Sequence, residues 1–288
     1  LILSSVSCNE HKKYNNIFQA VRSGDVKAVK SFVKKDPSLL TTKDNESRYK
    51  GIPLFVAIVE MSTPEGSRKV NIDMVETLIK LGSDVNYKDQ NEESPLHIAT
   101  AIGLKDCTIL LLSKGAKIDA ASNAGWTPLF EAVMKGKYEI AKLLIEKGAK
   151  IDVKDNEGNT PLHSASGWNR IDCARLLIEK GANKDAVNKV GRSPIFYAVQ
   201  NENVDIIKFF IEKGANINIS DKDKETPLHI AAMWGKTDAA KLLIDKGANI
   251  NTVDKAGFTP LDYSEKNKDF YSVSKLLKEN GGKKAKKE

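Results

Sequence analysis

Thr226-Pro227-Leu228-His229-Ile230-Ala231-Ala232, together with the residues onward to Gly247, decides how this chain is read. Thr226 can cap a helix, its hydroxyl accepting a backbone N–H that the first turn leaves without a partner. Pro227 suits the first helical position, where a missing N–H costs nothing. Leu228, Ala231 and Ala232 fall at i, i+3 and i+4, so one side of a short helix is apolar. Gly235 breaks that helix. Asp238 then sits in the first turn of a second helix, where a carboxylate complements the dipole. Leu242, Leu243 and Ile244 form the expected buried side of this helix. Lys246 lies in its last turn, and Gly247 can take the left-handed conformation that ends it. The stretch encodes two short antiparallel helices joined to an extended connection.

One such pair cannot bury its own faces, so repetition is the next question. The Ser/Thr-Pro-Leu/Ile step recurs at Pro95, Pro128, Pro161, Pro194, Pro227 and Pro260, always at the same interval. The glycine after the second helix recurs at Gly82, Gly115, Gly148, Gly181, Gly214 and Gly247, again at that interval. Two punctuators in register over this many copies resemble the ankyrin repeat, with its Thr-Pro-Leu-His helix start, its glycine between helices, its Leu-Leu pair and its Gly-Ala. The resemblance implies an all-α ankyrin-repeat solenoid of stacked helix pairs, with β-hairpin fingers projecting from it. The expected organisation is a signal-peptide remnant or N-terminal arm at 1–9, a repeat domain at 10–282 of about eight units including caps, and a basic tail at 283–288.

A net charge of +7 and a pI near 9.0 invite a nucleic-acid reading. Much of the lysine has a plainer role. Lys114, Lys147, Lys180, Lys213 and Lys246 share one column at the end of the second helix, where cations complement the dipole. The tail holds four lysines against one glutamate, so the remainder carries only +4. Weak nucleic-acid binding through lysines therefore stays behind protein recognition. Cys107 and Cys173 stand in a column that is otherwise apolar (Met74, Ile140, Ile206, Ala239) and read as core filler. No internal run is long enough to span a bilayer.

Leu1-Ile2-Leu3-Ser4-Ser5-Val6-Ser7-Cys8, followed by polar residues, resembles the end of a bacterial lipoprotein signal peptide. That resemblance implies lipidation of Cys8 and a periplasmic or membrane-anchored protein. The alternative is a frayed arm on a cytoplasmic one. Ile17 to Leu40 fits the repeat pattern without Thr-Pro-Leu-His and reads as an N-terminal cap, its second helix ended by Asp36-Pro37. The step from Pro53 to Pro95 is longer than the repeat interval, and the excess lies mainly in the Pro-, Gly- and Ser-containing stretch Met61 to Lys69. This insertion, 61–69, is either a neutral loop or a binding loop, and it is where an unrecognised enzymatic or regulatory site would have to lie. At the turn between helices Gly103, Gly136 and Gly235 match the pattern. Asn169 tolerates a left-handed turn, and Glu202 puts that turn's geometry in question. Asp262 stands where His is expected, Ser264 and Glu265 replace small apolar residues as suits a C-terminal cap, and Asn280 to Glu288 reads as a disordered tail.

The sequence contains no Gly-x-Ser-x-Gly elbow, no His-Glu-x-x-His, no phosphate-cradling glycine loop and no Cys-x-x-Cys. His97, His163 and His229 lie two repeats apart in a column that alternates with Phe. At about 8–10 Å per stacked helix they are too distant to share a metal. The resemblance implies a structural role for them, tying neighbouring fingers by hydrogen bonds. No catalytic residue, metal or cofactor is expected, and the chain is read as a monomer.

The free columns are therefore the informative ones. The resemblance implies that finger positions and the end of the first helix line a concave groove used for partners. There stand Trp126, Arg192 and Phe258 on fingers, and Ile102, Met134, Trp168, Met233 and Trp234 at the ends of first helices. All three tryptophans of the chain fall in these columns. Trp, Met and Arg are enriched at interface cores. An aromatic before Thr-Pro can also merely cover the next finger, which bears on Trp126 and Phe258 but not on Trp168 and Trp234. The expected function is recognition of a protein or peptide, with Arg192 offered to an acidic or carbonyl group.

Overall fold

The structure is a computed structural model that describes residues 14–44, 51–59 and 70–285. It divides into two compact units, residues 1–132 and 133–288. In the first, α1 (Ile17–Arg22) pairs with α2 (Val26–Lys35), α3 (Pro53–Val59) with α4 (Ile72–Lys80), and α5 (Pro95–Ile102) with α6 (Lys105–Ser113). The helix α7 (Pro128–Met134) crosses the division. In the second, α8 (Tyr138–Glu146) is followed by the pairs α9 (Pro161–Gly167) with α10 (Ile171–Glu179), α11 (Pro194–Gln200) with α12 (Val204–Glu212), α13 (Pro227–Met233) with α14 (Thr237–Asp245), and α15 (Pro260–Glu265) with α16 (Tyr271–Glu279). First helices stack on first helices (α9 on α11, α11 on α13, α13 on α15), and second helices stack on second helices. This is the ankyrin solenoid expected from the constant repeat interval.

Each helix starts and stops for a local reason. Ser94, Thr160, Ser193, Thr226 and Thr259 occupy the extended N-cap position with Pro next in line. The second helices end on Lys114, Lys147, Lys180, Lys213 and Lys246 as C-caps, so the lysine column lies one residue past the last turn. The glycine after each lysine closes a Schellman motif. At the end of α8, Gly148 N–H donates to Ile145 O at 3.0 Å and Ala149 N–H to Leu144 O at 2.9 Å. Burial departs from the one-sided expectation. Pro227 to Ala232 are all buried, because α13 is covered by α11, α14 and α15 at once. Of Leu242, Leu243 and Ile244 only Leu243 is fully buried.

The fingers are tight turns, and no strand forms among the described residues. Each turn is closed by its own first residue. Asp221 Oδ1 accepts the N–H groups of Asp223 and Glu225, both at 3.0 Å, and Asp155, Asn188 and Asp254 repeat the arrangement. Single backbone bonds stitch finger to finger: Lys189 N–H to Glu157 O at 2.9 Å, Lys222 to Val190 at 3.0 Å and Lys255 to Asp223 at 2.8 Å. The hairpins are thus tight turns, each closed by a backbone bond, as from Asp221 N–H to Glu225 O at 2.9 Å, as well as by its first side chain, rather than ladders.

Among the described residues four other than glycine hold the left-handed backbone: Glu92, Asn169, Glu202 and Lys224, at φ between 53° and 60°. Glu202 keeps the turn that its identity put in question, and its carboxylate accepts the N–H of Asp238 at 3.1 Å, capping α14. Lys224 makes no such compensating bond among the described residues. The left-handed conformation costs a non-glycine residue about 1–2 kcal/mol, while glycine loses more backbone entropy on folding. Lys224→Gly is therefore expected to stabilise the protein by about 0.5–1 kcal/mol, read as a raised urea midpoint with an unchanged slope.

The chain from Asn280 to Ala285 is ordered, against the expectation of a disordered tail. Gly281 O accepts from Asn251 Nδ2 at 3.1 Å, and Lys283 N–H donates to Asn251 Oδ1 at 2.7 Å. Thr259 Oγ1 donates to Lys283 O at 2.8 Å, and Ala285 N–H reaches Asp262 Oδ2 at 3.0 Å. Burial opposes the charge on Asp262, but the N–H groups of Ala285 and Thr259 outweigh it and hold the carboxyl below its ordinary range. Ser264 is buried and bonded to Ser274 at 2.9 Å, and Glu265 is paired with Lys278 and Lys284.

Candidate partner-binding surface

The repeated core leaves a small set of side chains to distinguish this protein. Trp168 and Trp234 are the C-cap residues of α9 and α13, the first positions past the buried helix, and are 60% and 51% exposed. Met233 precedes Trp234 and is half-buried. The other predicted contact residues are more committed to the fold. Trp126 stacks on Phe130 of its own repeat, ring centroids 5.6 Å apart and nearly parallel, and is half-buried. Phe258 meets Tyr263 edge-on at 5.6 Å, and the Lys266 ammonium lies 3.7 Å from its ring centroid. Ile102 packs partly buried against the core of the first unit. Met134 is half-buried, and its carbonyl accepts from Arg170 Nε at 3.0 Å.

Arg192 is engaged within the fold: Nε donates to Asp221 Oδ2 at 2.9 Å and Nη2 to Glu225 Oε2 at 2.8 Å, one finger onward. Asp221 is buried, so this pair locks two fingers together. Sequence reasoning missed the lock, although opposite charges one period apart in the same column (Arg192 and Glu225) were a signal for it. Asn188 likewise joins Asn159 Oδ1 and Tyr197 Oη, each at 2.8 Å.

The histidines are structural in a definite protonation state. At His163, the Thr160 backbone N–H donates to Nδ1 at 3.0 Å, while Nε2 lies 3.0 Å from Arg192 O on the next finger. A backbone N–H can only donate, so Nδ1 must be bare and Nε2 must carry the proton. His229 repeats this between Thr226 and Phe258 O, and His97 between Ser94 and Trp126 O. Burial depresses all three, His163 to about 4, against the partial support of the carbonyls they face. Burial also pushes the Cys107 thiol up to about 12 and that of Cys173 to about 11, so both are inert fillers. Cys8 and the insertion 61–69 lie outside the described residues. Among the described residues no helix is long and apolar enough to cross a membrane.

Comparison with known proteins agrees with this architecture. A family model described as ankyrin repeats (3 copies) matches residues 66–155, 151–221 and 195–288. Protein phosphatase 1 regulatory subunit 27 of Mus musculus is 40% identical over 105 residues, 36% of this chain and 60% of that protein. Its Homo sapiens counterpart is 45% identical over 105 residues, with the same shares of each chain. Protein fem-1 homolog C of Homo sapiens is 35% identical over 74 residues, 24% of this chain and 12% of that protein. The chain thus spans about three fifths of the length of the phosphatase subunits (60%) and far less of the other. With the constant repeat interval, the stacked helix pairs and a family match over most of its length, the chain belongs to the ankyrin-repeat family.

Proposed function

We propose that this protein is a non-catalytic recognition module whose protein or peptide partner is anchored by Trp168 and Trp234. The observation that supports this reading is the exposure of two tryptophans at equivalent positions of α9 and α13, two repeats apart, in a fold whose other large aromatics are mostly buried or stacked. A large apolar ring held in water adds nothing to the core and is the residue type on which interface energy concentrates. Met233 extends the apolar surface beside Trp234. One set of relatives is named as a regulatory subunit of protein phosphatase 1, which makes that phosphatase's catalytic subunit the first partner to try.

Trp168→Ala and Trp234→Ala are each expected to leave the thermal midpoint within about 2 °C, since neither ring is buried. Each is expected to weaken binding at least tenfold, about 1.4 kcal/mol, measured by calorimetry against the phosphatase subunit or a partner identified by pull-down. Acrylamide quenching of the isolated protein checks the premise, with Trp168 and Trp234 quenched readily. Unfolding of either variant, or unchanged affinity in both, would remove the anchor role.

A further inference from the structure

We propose that His163 and His229 are acid-released latches that set how firmly the fingers are held over the two helices carrying Trp168 and Trp234. The proposal concerns regulation of the recognition surface proposed above and rests on that reading for its functional consequence, though not for the latch itself.

The argument is geometric. An imidazolium carries a proton on both nitrogens. At His163 the second proton would point at the Thr160 N–H, 3.0 Å from Nδ1, and at His229 it would meet the Thr226 N–H at 3.1 Å. Two donors then face each other in a buried site, so protonation requires the ring to leave. When it leaves, the finger carbonyl on Nε2 is released with it, that of Arg192 for His163 and that of Phe258 for His229. The charged groups that act on His163 are Asp155 and Lys154, and those that act on His229 are Asp254 and Asp221. They do not reverse the outcome, because burial dominates at both rings. Packed edge-on beside the histidines are the phenols Tyr197 and Tyr263, which stay neutral in this pH range.

The same column supplies its own controls. At position 196 the latch is absent, since Phe stands there, and the finger at 221–225 is held by Arg192 instead. At position 262 an aspartate receives the cap N–H and the chain beyond it. Latched and unlatched fingers therefore alternate in one unit. His163 and Trp168 stand at opposite ends of α9, as do His229 and Trp234 of α13. Freeing the first end of each helix loosens the support of its anchor.

The sign follows from linkage. A ring whose closed-state pKa is depressed contributes holding strength that is complete above the free value near 6.5 and is lost as pH falls toward the closed value, about 4 for His163. In that window the open fraction of a latched finger rises about tenfold per pH unit. Hydrogen exchange on the whole protein at pH 7, 6 and 5, corrected for intrinsic rates, is expected to show this rise at 189–193 and 255–259 and little change at 221–225. In His163→Gln/His229→Gln, where a side-chain amide can accept and donate without titrating, the pH dependence is expected to vanish from both latched fingers. If the double variant does not fold, NMR titration of the wild-type rings decides. Rings that remain the Nε2–H tautomer to below pH 5 support the latch, and rings that titrate near 6.5 without finger opening overturn it. An equal acid response in the variant and the wild type overturns it as well. None of these measurements needs a partner, so loss of the anchor role would leave the latch standing, and the reverse.

Discussion

Arg192→Ala is expected to destabilise the C-terminal unit by about 2–3 kcal/mol, below the 3–5 typical of a fully buried pair broken on one side. The discount is for exposure, since the Arg192 side chain is 27% accessible while that of Asp221 is 3% accessible. Removal of the guanidinium leaves Asp221 Oδ2 buried and without its cation, while Oδ1 keeps the N–H groups of Asp223 and Glu225. Glu225 loses its ion pair with Arg192 and then faces Asp221 and Asp254 as a third carboxylate. The companion variant Glu225→Ala removes a like charge as well as a bond and is expected to cost less than half as much. Urea unfolding of the two single variants and the double variant measures the coupling directly. A loss in Arg192→Ala no larger than that of an ordinary surface substitution, about 0.5 kcal/mol, combined with weaker partner binding, would return this arginine to the recognition surface where its column first placed it.

The architecture was legible because each repeat announces its own ends. Pro at the first helical position and Gly after the last are local requirements of the backbone, and they recur at a period that no compact globule would keep. What the sequence did not disclose depends on neighbours one repeat away. Leu242 and Ile244 look as apolar as Leu243, but which of the three faces the stack follows from helix rotation. The order at 281–285 likewise depends on Asn251, Thr259 and Asp262 offering partners to a stretch whose composition alone suggests none. Glu202 departs from the pattern as a residue yet preserves the turn as a conformation, since its bond to Asp238 offsets part of the strain.

The surface was half legible for the same reason. Exposure of Trp168 and Trp234 followed from their place just past the helix end. The column holding Arg192 reads as free of the repeat pattern, but freedom from a pattern does not mean freedom from contact. Arg192 reaches the next finger, at Glu225. Trp126 instead stacks on Phe130 within its own repeat.

Phe196→Ala is expected to cost about 3–5 kcal/mol, as for other fully buried phenylalanines in well-packed cores. Phe196 is 1% exposed and lies among the α11 contacts with α9 and α13, so its removal opens a cavity that those stacked helices cannot close. The instructive companion is Phe196→His. Its column holds histidine in the repeats on either side, and the hydroxyl of Ser193, buried at the N-cap of α11, has no hydrogen-bond partner. A histidine here would meet Ser193 through Nδ1 and could donate from Nε2 to the carbonyl of Glu225, as His163 does to Arg192. The bonds gained, about 1 kcal/mol each, offset most of the apolar burial lost, and Phe196→His is expected to lie within about 1 kcal/mol of the parent at pH 7.5. It should also bring a new acid lability, because a third histidine in this unit would now have to stay neutral to remain folded. Thermal unfolding at pH 7.5 and pH 5 separates the outcomes. Phe196→His as damaging as Phe196→Ala at both pH values would mean that the column is governed by packing volume alone and that His and Phe are not interchangeable within it.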